Sequence, residues 1–286
     1  MKNIKAYIDD CFTFHEQIVA SKKKRKSDQA YKDRLIILNP IIKIKIKEYI
    51  ANFKLDKLQN LLPHNFSNPE EEDLGNLYNY KNKKLQKLKV LLTTDENNRV
   101  NSICQNCTIS EVNSFDHYLP KSEFPEFIVN PLNLIPSCTK CNGQKSSIWR
   151  ANGKRKFLNL YIDKLPNIQY LFVKVLVQNN DIDIEYYLDA KNGIEQNFFE
   201  LLQYHYDKLN LFERFKENSD IIISELEIEI SKYLKRLSID EIKNTILEEC
   251  QDNYRLLGRN NWKLILKSTL INDMDYLERF NTKNFI

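Results

Sequence analysis

Four cysteines, Cys104, Cys107, Cys138 and Cys141, stand as two C-x2-C hooks separated by thirty residues. Two hooks of this spacing supply four thiolates that close tetrahedrally on Zn²⁺ and leave no open position, so their expected chemistry is structural. A redox pair and plain core packing are the alternatives. Between the hooks runs Asp116-His117-Tyr118-Leu119-Pro120-Lys121, then Asn133, and the second hook continues as Cys141-Asn142-Gly143-Gln144-Lys145. An imidazole next to a carboxylate, with an amide and an ammonium downstream, is a set that could hydrolyse a phosphodiester. Such a reaction needs a deprotonated water in line with the leaving oxygen and positive charge on the phosphate. His117 is the right kind of base near neutral pH. Asp116 and Asn142 offer hard oxygen ligands suited to Mg²⁺ or Mn²⁺, with water and phosphate completing the shell.

Successive residues on a strand point to opposite faces, so Asp116 and His117 reach one centre only where the strand ends, and Pro120 supplies that ending. A lone Asp-His pair is usually a solvated loop and a lone Asn a helix cap. Enclosed by two zinc hooks, the set argues for catalysis.

The same residues resemble the HNH nucleases, the ββα-metal group, over residues 104 to about 147. The resemblance implies an Asp-His strand facing a helix that carries a second metal ligand, with strands near 109–118 and 133–136 and a helix over 139–150. It gives Asn133 the place of the residue that holds the connecting loop by backbone hydrogen bonds. The last motif position, often His, is Asn142 here, an H-N-N version similar to the resolvase-type endonuclease VII and to the HNH domain of RNA-guided nucleases. More loosely, the arrangement from Asp116 through Asn261-Trp262 resembles the nuclease component of Septu-type anti-phage systems, whose partner is an ATPase.

Lys145 lies one helical turn after Asn142, where its ammonium could meet a phosphate, and Arg150, Lys154 and Arg155 extend the positive charge. These four are the expected substrate-binding residues, and an exposed polar face is the plain alternative. The SKKKRK run at 21 to 26 is weaker evidence, and nothing here reads base edges. His15, His64 and His205 lack such surroundings and read as structural, while Cys11 and Cys250 fall on apolar helical faces and read as core.

The rest of the chain must hold this segment. At 286 residues it can bury a sizeable core without disulfides. The net charge of +4 hides an asymmetry: residues 1 to 160 carry 27 basic and 17 acidic side chains, residues 161 to 286 carry 16 and 22. A basic front suits a polyanion, and the acidic remainder suits solvent or a protein partner. With 42% apolar and 29% charged residues the chain is neither disordered nor membrane-embedded, and neither a spanning segment nor a secretory signal is visible. A cytoplasmic setting, where thiols stay reduced, follows as the expectation.

Helical spacing is expected from Ile4 to Ile18, from Ile42 to Leu58, and from an Asn68-Pro69 start to just before Asp95. Residues 170–177 and 182–188 read as a β-hairpin, and 194–280 as three or four helices broken near Asn218, Ser238 and Gly258. The expected fold is α+β, mainly α. A ββα-metal core with structural zinc (101–156) lies between a helical N-terminal region (1–100) and a hairpin-plus-helix C-terminal region (157–286) suited to partner binding. The expected function is a metal-dependent endonuclease acting on nucleic acid, DNA foremost, in antiviral defence, with structural Zn²⁺, catalytic Mg²⁺ or Mn²⁺, and a regulatory ATPase as possible partner. The competing expectation is a zinc-stabilised nucleic-acid- or protein-binding module without catalysis.

Overall fold

The computed structural model describes residues 1–23, 28–178 and 181–281. The chain is α+β and mainly helical, with three two-stranded sheets among the described residues. It divides into two compact units, Asn3–Lys164 and a second made of Met1–Lys2 with Leu165 onward. No helix among the described residues is long and apolar enough to cross a membrane. Residues 24–27, and with them the second half of the SKKKRK run, lie outside the described residues.

In the first unit α1 (Cys11–Ser21) starts only after Asp10, whose carboxylate accepts from the Thr13 N–H, so the helix is shorter than the spacing from Ile4 implies. α2 (Tyr31–Lys54) begins well before the expected Ile42 and runs through Pro40. Its buried stripe of Tyr31, Leu35, Leu38, Ile42, Ile46 and Tyr49 has helical period, which decides against the strand-like alternation of Ile42, Ile44 and Ile46. The helix expected from Asn68 to Thr94 is two helices, α3 (Asn68–Gly75) and α4 (Lys83–Thr93). Ser67, not Asn68, is the N-cap of α3, with Glu70 accepting from the Ser67 N–H at 2.9 Å. Asn82 caps α4 by accepting from the Lys84 N–H.

Two short strands follow. β1 (Ser114–His117) pairs antiparallel with β2 (Leu134–Ser137), Asp116 opposite Ile135 and His117 opposite Leu134. α5 (Thr139–Lys145) packs against β1. It stops at Lys145 rather than 150, because Ser146 turns to a φ of 55° and leaves helical geometry. β3 (Arg150–Ala151) and β4 (Lys154–Arg155) form a tight hairpin across Asn152 (φ 51°) and Gly153 (φ 71°), an Asn-Gly turn not anticipated from the sequence.

The second unit opens with the hairpin expected there, β5 (Leu171–Gln178) with β6 (Asp181–Leu188). Its inner face, including Val173, Ile184 and Tyr186, is buried, and β5 packs on α10 (Trp262–Leu270). Among the described residues six helices follow instead of three or four. α6 (Gln196–Lys208), α7 (Leu211–Glu217), α8 (Ser219–Tyr233) and α9 (Ile239–Leu257) precede α10, and α11 (Met274–Asn281) follows it. The extra breaks fall at Asn210, in left-handed geometry, and before Met274.

Candidate active site and metal centre

Cys104, Cys107, Cys138 and Cys141 are all buried, with their Sγ atoms within 4.8 Å of one another. Cys107 Sγ and Cys138 Sγ are 3.9 Å apart. Four sulfurs held tetrahedrally at a Zn–S distance of about 2.3 Å would lie about 3.8 Å apart. The cluster therefore has the donors and the size for a metal such as zinc. Local geometry explains its shape: the Thr108 N–H donates to Cys104 O at 2.7 Å, closing the first hook, and Cys138 is the N-cap of α5, its sulfur accepting from the Cys141 N–H. Thiol-to-thiol hydrogen bonding lowers Cys107, to about 6, and Cys138, and raises their partners Cys104 and Cys141. Metal ligation requires all four thiols to be deprotonated.

His117 ends β1 and is only 9% exposed. Its Nε2 is 2.9 Å from Ile128 O. A carbonyl only accepts, so Nε2 carries the proton and Nδ1 keeps the lone pair. Burial pushes the imidazole pKa down to about 4, against the pull of Ile128 O, with Lys121 and Lys145 adding to the fall. The ring is neutral over the physiological range, the form that accepts a proton.

Asn133 is fully buried and clips the loop between β1 and β2. Its Nδ2 donates to Leu119 O (3.0 Å) and Phe127 O (3.3 Å), while its Oδ1 accepts from the Leu119 N–H (2.8 Å) and the Tyr49 hydroxyl (3.3 Å). The start of the loop beside His117 and its interior beside Ile128 are therefore both held. All four functional valences of the amide are used, which no other side chain of that size reproduces.

Asp116 is buried against Lys145. The Lys145 ammonium donates to Asp116 Oδ1 at 3.1 Å and to His117 O at 2.8 Å. Burial raises the Asp116 pKa and the Lys145 charge opposes the rise. Asn142 Nδ2 donates to Phe115 O at 3.2 Å. α5 is thus tied to β1 at Phe115, Asp116 and His117 through two of its side chains. Asp116 and Asn142 thus bring a carboxylate and an amide oxygen, both hard donors, to packed neighbouring elements.

The four basic residues are placed differently from one another. Lys145 is consumed as just described. Arg150 pairs with Glu123 at 2.7 Å, donates to Gln59 O and Leu61 O, and lies over the Trp149 ring. Arg155 holds Asp163 with both terminal nitrogens, 2.7 and 2.9 Å, and also reaches Asp56 and the Tyr118 hydroxyl. Lys154 is exposed beside the turn. Arg150 and Arg155 therefore brace the fold around the site.

No motif in the sequence marks Tyr78. Its ring packs edge-on against His117 with centroids 4.7 Å apart, and Tyr80 does the same to Phe115 at 5.9 Å. Both sit in the break between α3 and α4. Gly75-Asn76 followed by Asn79 and Asn82 is a sequence sign of that break. His15, bonded to Asn39, and His205 are buried among helices, and Cys11 and Cys250 are core residues.

No protein-family profile matches the chain, and no solved structure matches it. Among similar proteins is Protein ea31 of Escherichia phage lambda, 26% identical over 180 residues, which are 59% of this chain and 60% of that protein. Another is Septu protein PtuB of Bacillus thuringiensis, 34% identical over 77 residues, 27% of this chain and 29% of that protein. The chain therefore spans less than two thirds of either relative. The partial match to PtuB and the buried four-cysteine cluster together fit a zinc-binding module.

Proposed function

We propose that the chain is a metal-dependent endonuclease of the HNH type, hydrolysing nucleic-acid phosphodiester bonds, DNA foremost, in a cytoplasmic anti-phage role. In this reading β1, β2 and α5 are the ββα-metal core and the four cysteines are its structural zinc site. The observation that carries it is the fixed His117: its Nε2 bonded to Ile128 O of a loop clipped by Asn133, with Asp116 beside it on the strand. A hydrogen-bonded imidazole alone would also suit core packing, as at His15; the Asn133 clip and the adjacent Asp116 are what favour catalysis. The match to a protein named for the Septu system supports the defence setting, and an ATPase or another defence protein is the partner that setting suggests.

His117 Nδ1 accepts the proton of the attacking water, and Ile128 O stabilises the imidazolium that results. Asn133 keeps that geometry through the turnover. Held by Asp116 and Asn142, Mg²⁺ or Mn²⁺ would supply positive charge to the phosphate and the leaving oxygen. The zinc site holds the two hooks, and with them the relation of α5 to β1.

The binding module without catalysis keeps one observation in its favour: the Lys145 ammonium already neutralises Asp116. Labelled DNA and RNA incubated with Mg²⁺ and with Mn²⁺ separate the two. The nuclease reading expects cleavage by the parent and none by His117→Ala with zinc content and binding retained; equal inactivity of both with retained binding favours the module.

A further inference from the structure

Lys145, Arg150 and Arg155 are each committed to carboxylates of the fold, and Lys121 is a further cation close to the base. Lys121 closes the Asp-His-Tyr-Leu-Pro-Lys motif, four residues after His117. It is exposed and makes no salt bridge among the described residues. Its nearest acidic neighbour in sequence, Glu123, is already committed: one oxygen to Arg150 and the other to the Trp149 indole at 2.8 Å. The Lys121 ammonium lies 6.0 Å from the centroid of the Tyr78 ring, the ring that packs edge-on against His117. That distance is the outer limit of cation–π attraction, so the ring does not hold the ammonium away from a ligand. The Lys121 charge also acts on the His117 imidazole.

We propose that Lys121 is the residue that contacts the phosphate backbone of the substrate beside His117, and that Tyr78 is a positioning residue for both side chains. This rests on the nuclease reading above. A phosphate drawn to Lys121 lies on the side of His117 that Tyr78 borders, next to the base that acts on it. The Tyr78 ring limits rotation of the imidazole about its bond to the strand, while its hydroxyl accepts from the Phe115 backbone; Tyr78→Phe therefore separates the ring's part from the hydroxyl's. That packing also explains the break between α3 and α4, which delivers a tyrosine to the end of β1.

The test uses the full-length, zinc-loaded protein. In a His117→Ala background, binding of a fluorescein-labelled DNA duplex and of the matching RNA is followed against salt. Lys121→Gln is expected to weaken binding about tenfold at low salt and to reduce the salt slope by about one, as loss of one phosphate contact does. Lys121→Arg should retain both, and Lys174→Gln, on β5, should change neither. In cleavage assays Tyr78→Leu should lower kcat about tenfold or more with KM nearly unchanged, and Tyr78→Phe should restore it. An unchanged salt slope in Lys121→Gln, in a parent that binds, overturns the phosphate contact. A kinetically silent Tyr78→Leu overturns the positioning role. If the parent binds neither probe and cleaves neither, the nuclease reading itself fails and this inference with it.

Discussion

The Nε2–H of His117 donates to Ile128 O at 2.9 Å, and Ile128 directly follows Phe127, whose carbonyl accepts from Asn133 Nδ2. The orientation of the proposed base is therefore set through a buried amide on the opposite strand end. Asn133→Ala would leave Leu119 N–H, Leu119 O and Phe127 O without their partner. At roughly 1–3 kcal/mol for a buried polar group left unsatisfied, with some relaxation, the expected loss is about 3 kcal/mol. Denaturant unfolding measures it. Activity at a temperature where the variant is fully folded should fall further than that of the parent, because Ile128 O is no longer fixed.

Lys145 and Asp116 form a pair with side chains 4% and 5% exposed. Removing one partner of such a pair leaves an uncompensated buried charge and costs roughly 3–5 kcal/mol. Lys145→Met should therefore be strongly destabilising, and adding Asp116→Asn should recover part of the loss, since no bare carboxylate then remains. Unfolding of the two variants with zinc bound checks the order; a double variant less stable than Lys145→Met would contradict it.

The four cysteines should carry about one zinc per chain. Cys138→Ser removes a thiolate while its hydroxyl keeps an N-cap for α5, so the loss of zinc and of ordered structure across 104–145, expected together, reports the metal and not the cap. Metal analysis with amide hydrogen exchange reads both, and zinc-free protein with full protection there would contradict the assignment.

His15 offers a pH test away from the metal sites. Burial pushes its pKa down to about 4 from an ordinary 6.5, with the Asn39 hydrogen bond opposing. A depressed histidine contributes stability that is present above pH 6.5 and lost as pH falls through 6.5 towards 4. The loss is about 2–3 kcal/mol by linkage. Unfolding free energy measured at pH 7 and pH 4.5 should show it, and His15→Gln, which keeps a donor for Asn39, should flatten the difference.

What could be read from the sequence follows the range of the interactions. The two hooks, the Asp-His strand end and the β5–β6 hairpin depend on neighbours a few residues apart and on turn chemistry, so their types and spacing expose them. The ends of α2, the division of α3 from α4 and the short α5 depend on tertiary packing, which periodicity does not contain. The fate of the basic residues was equally hidden. Arg155 is decided by Asp163 and Asp56, and Arg150 by Glu123 and the Gln59 carbonyl. A cluster of cations in sequence does not reveal which of them find carboxylates in the fold. Tyr78 escaped because its importance lies in a contact 39 positions along the chain.

The most direct measurement is cleavage of supercoiled plasmid and of RNA by the zinc-loaded protein, with and without Mg²⁺ or Mn²⁺, beside His117→Ala. The expected result is nicking that disappears under mild chelation sparing the zinc, returns with Mg²⁺ or Mn²⁺, leaves 5′-phosphate and 3′-hydroxyl ends, and is absent in His117→Ala. Cleavage that persists in EDTA or in His117→Ala, or failure to cut either substrate under any of these conditions, would contradict the account.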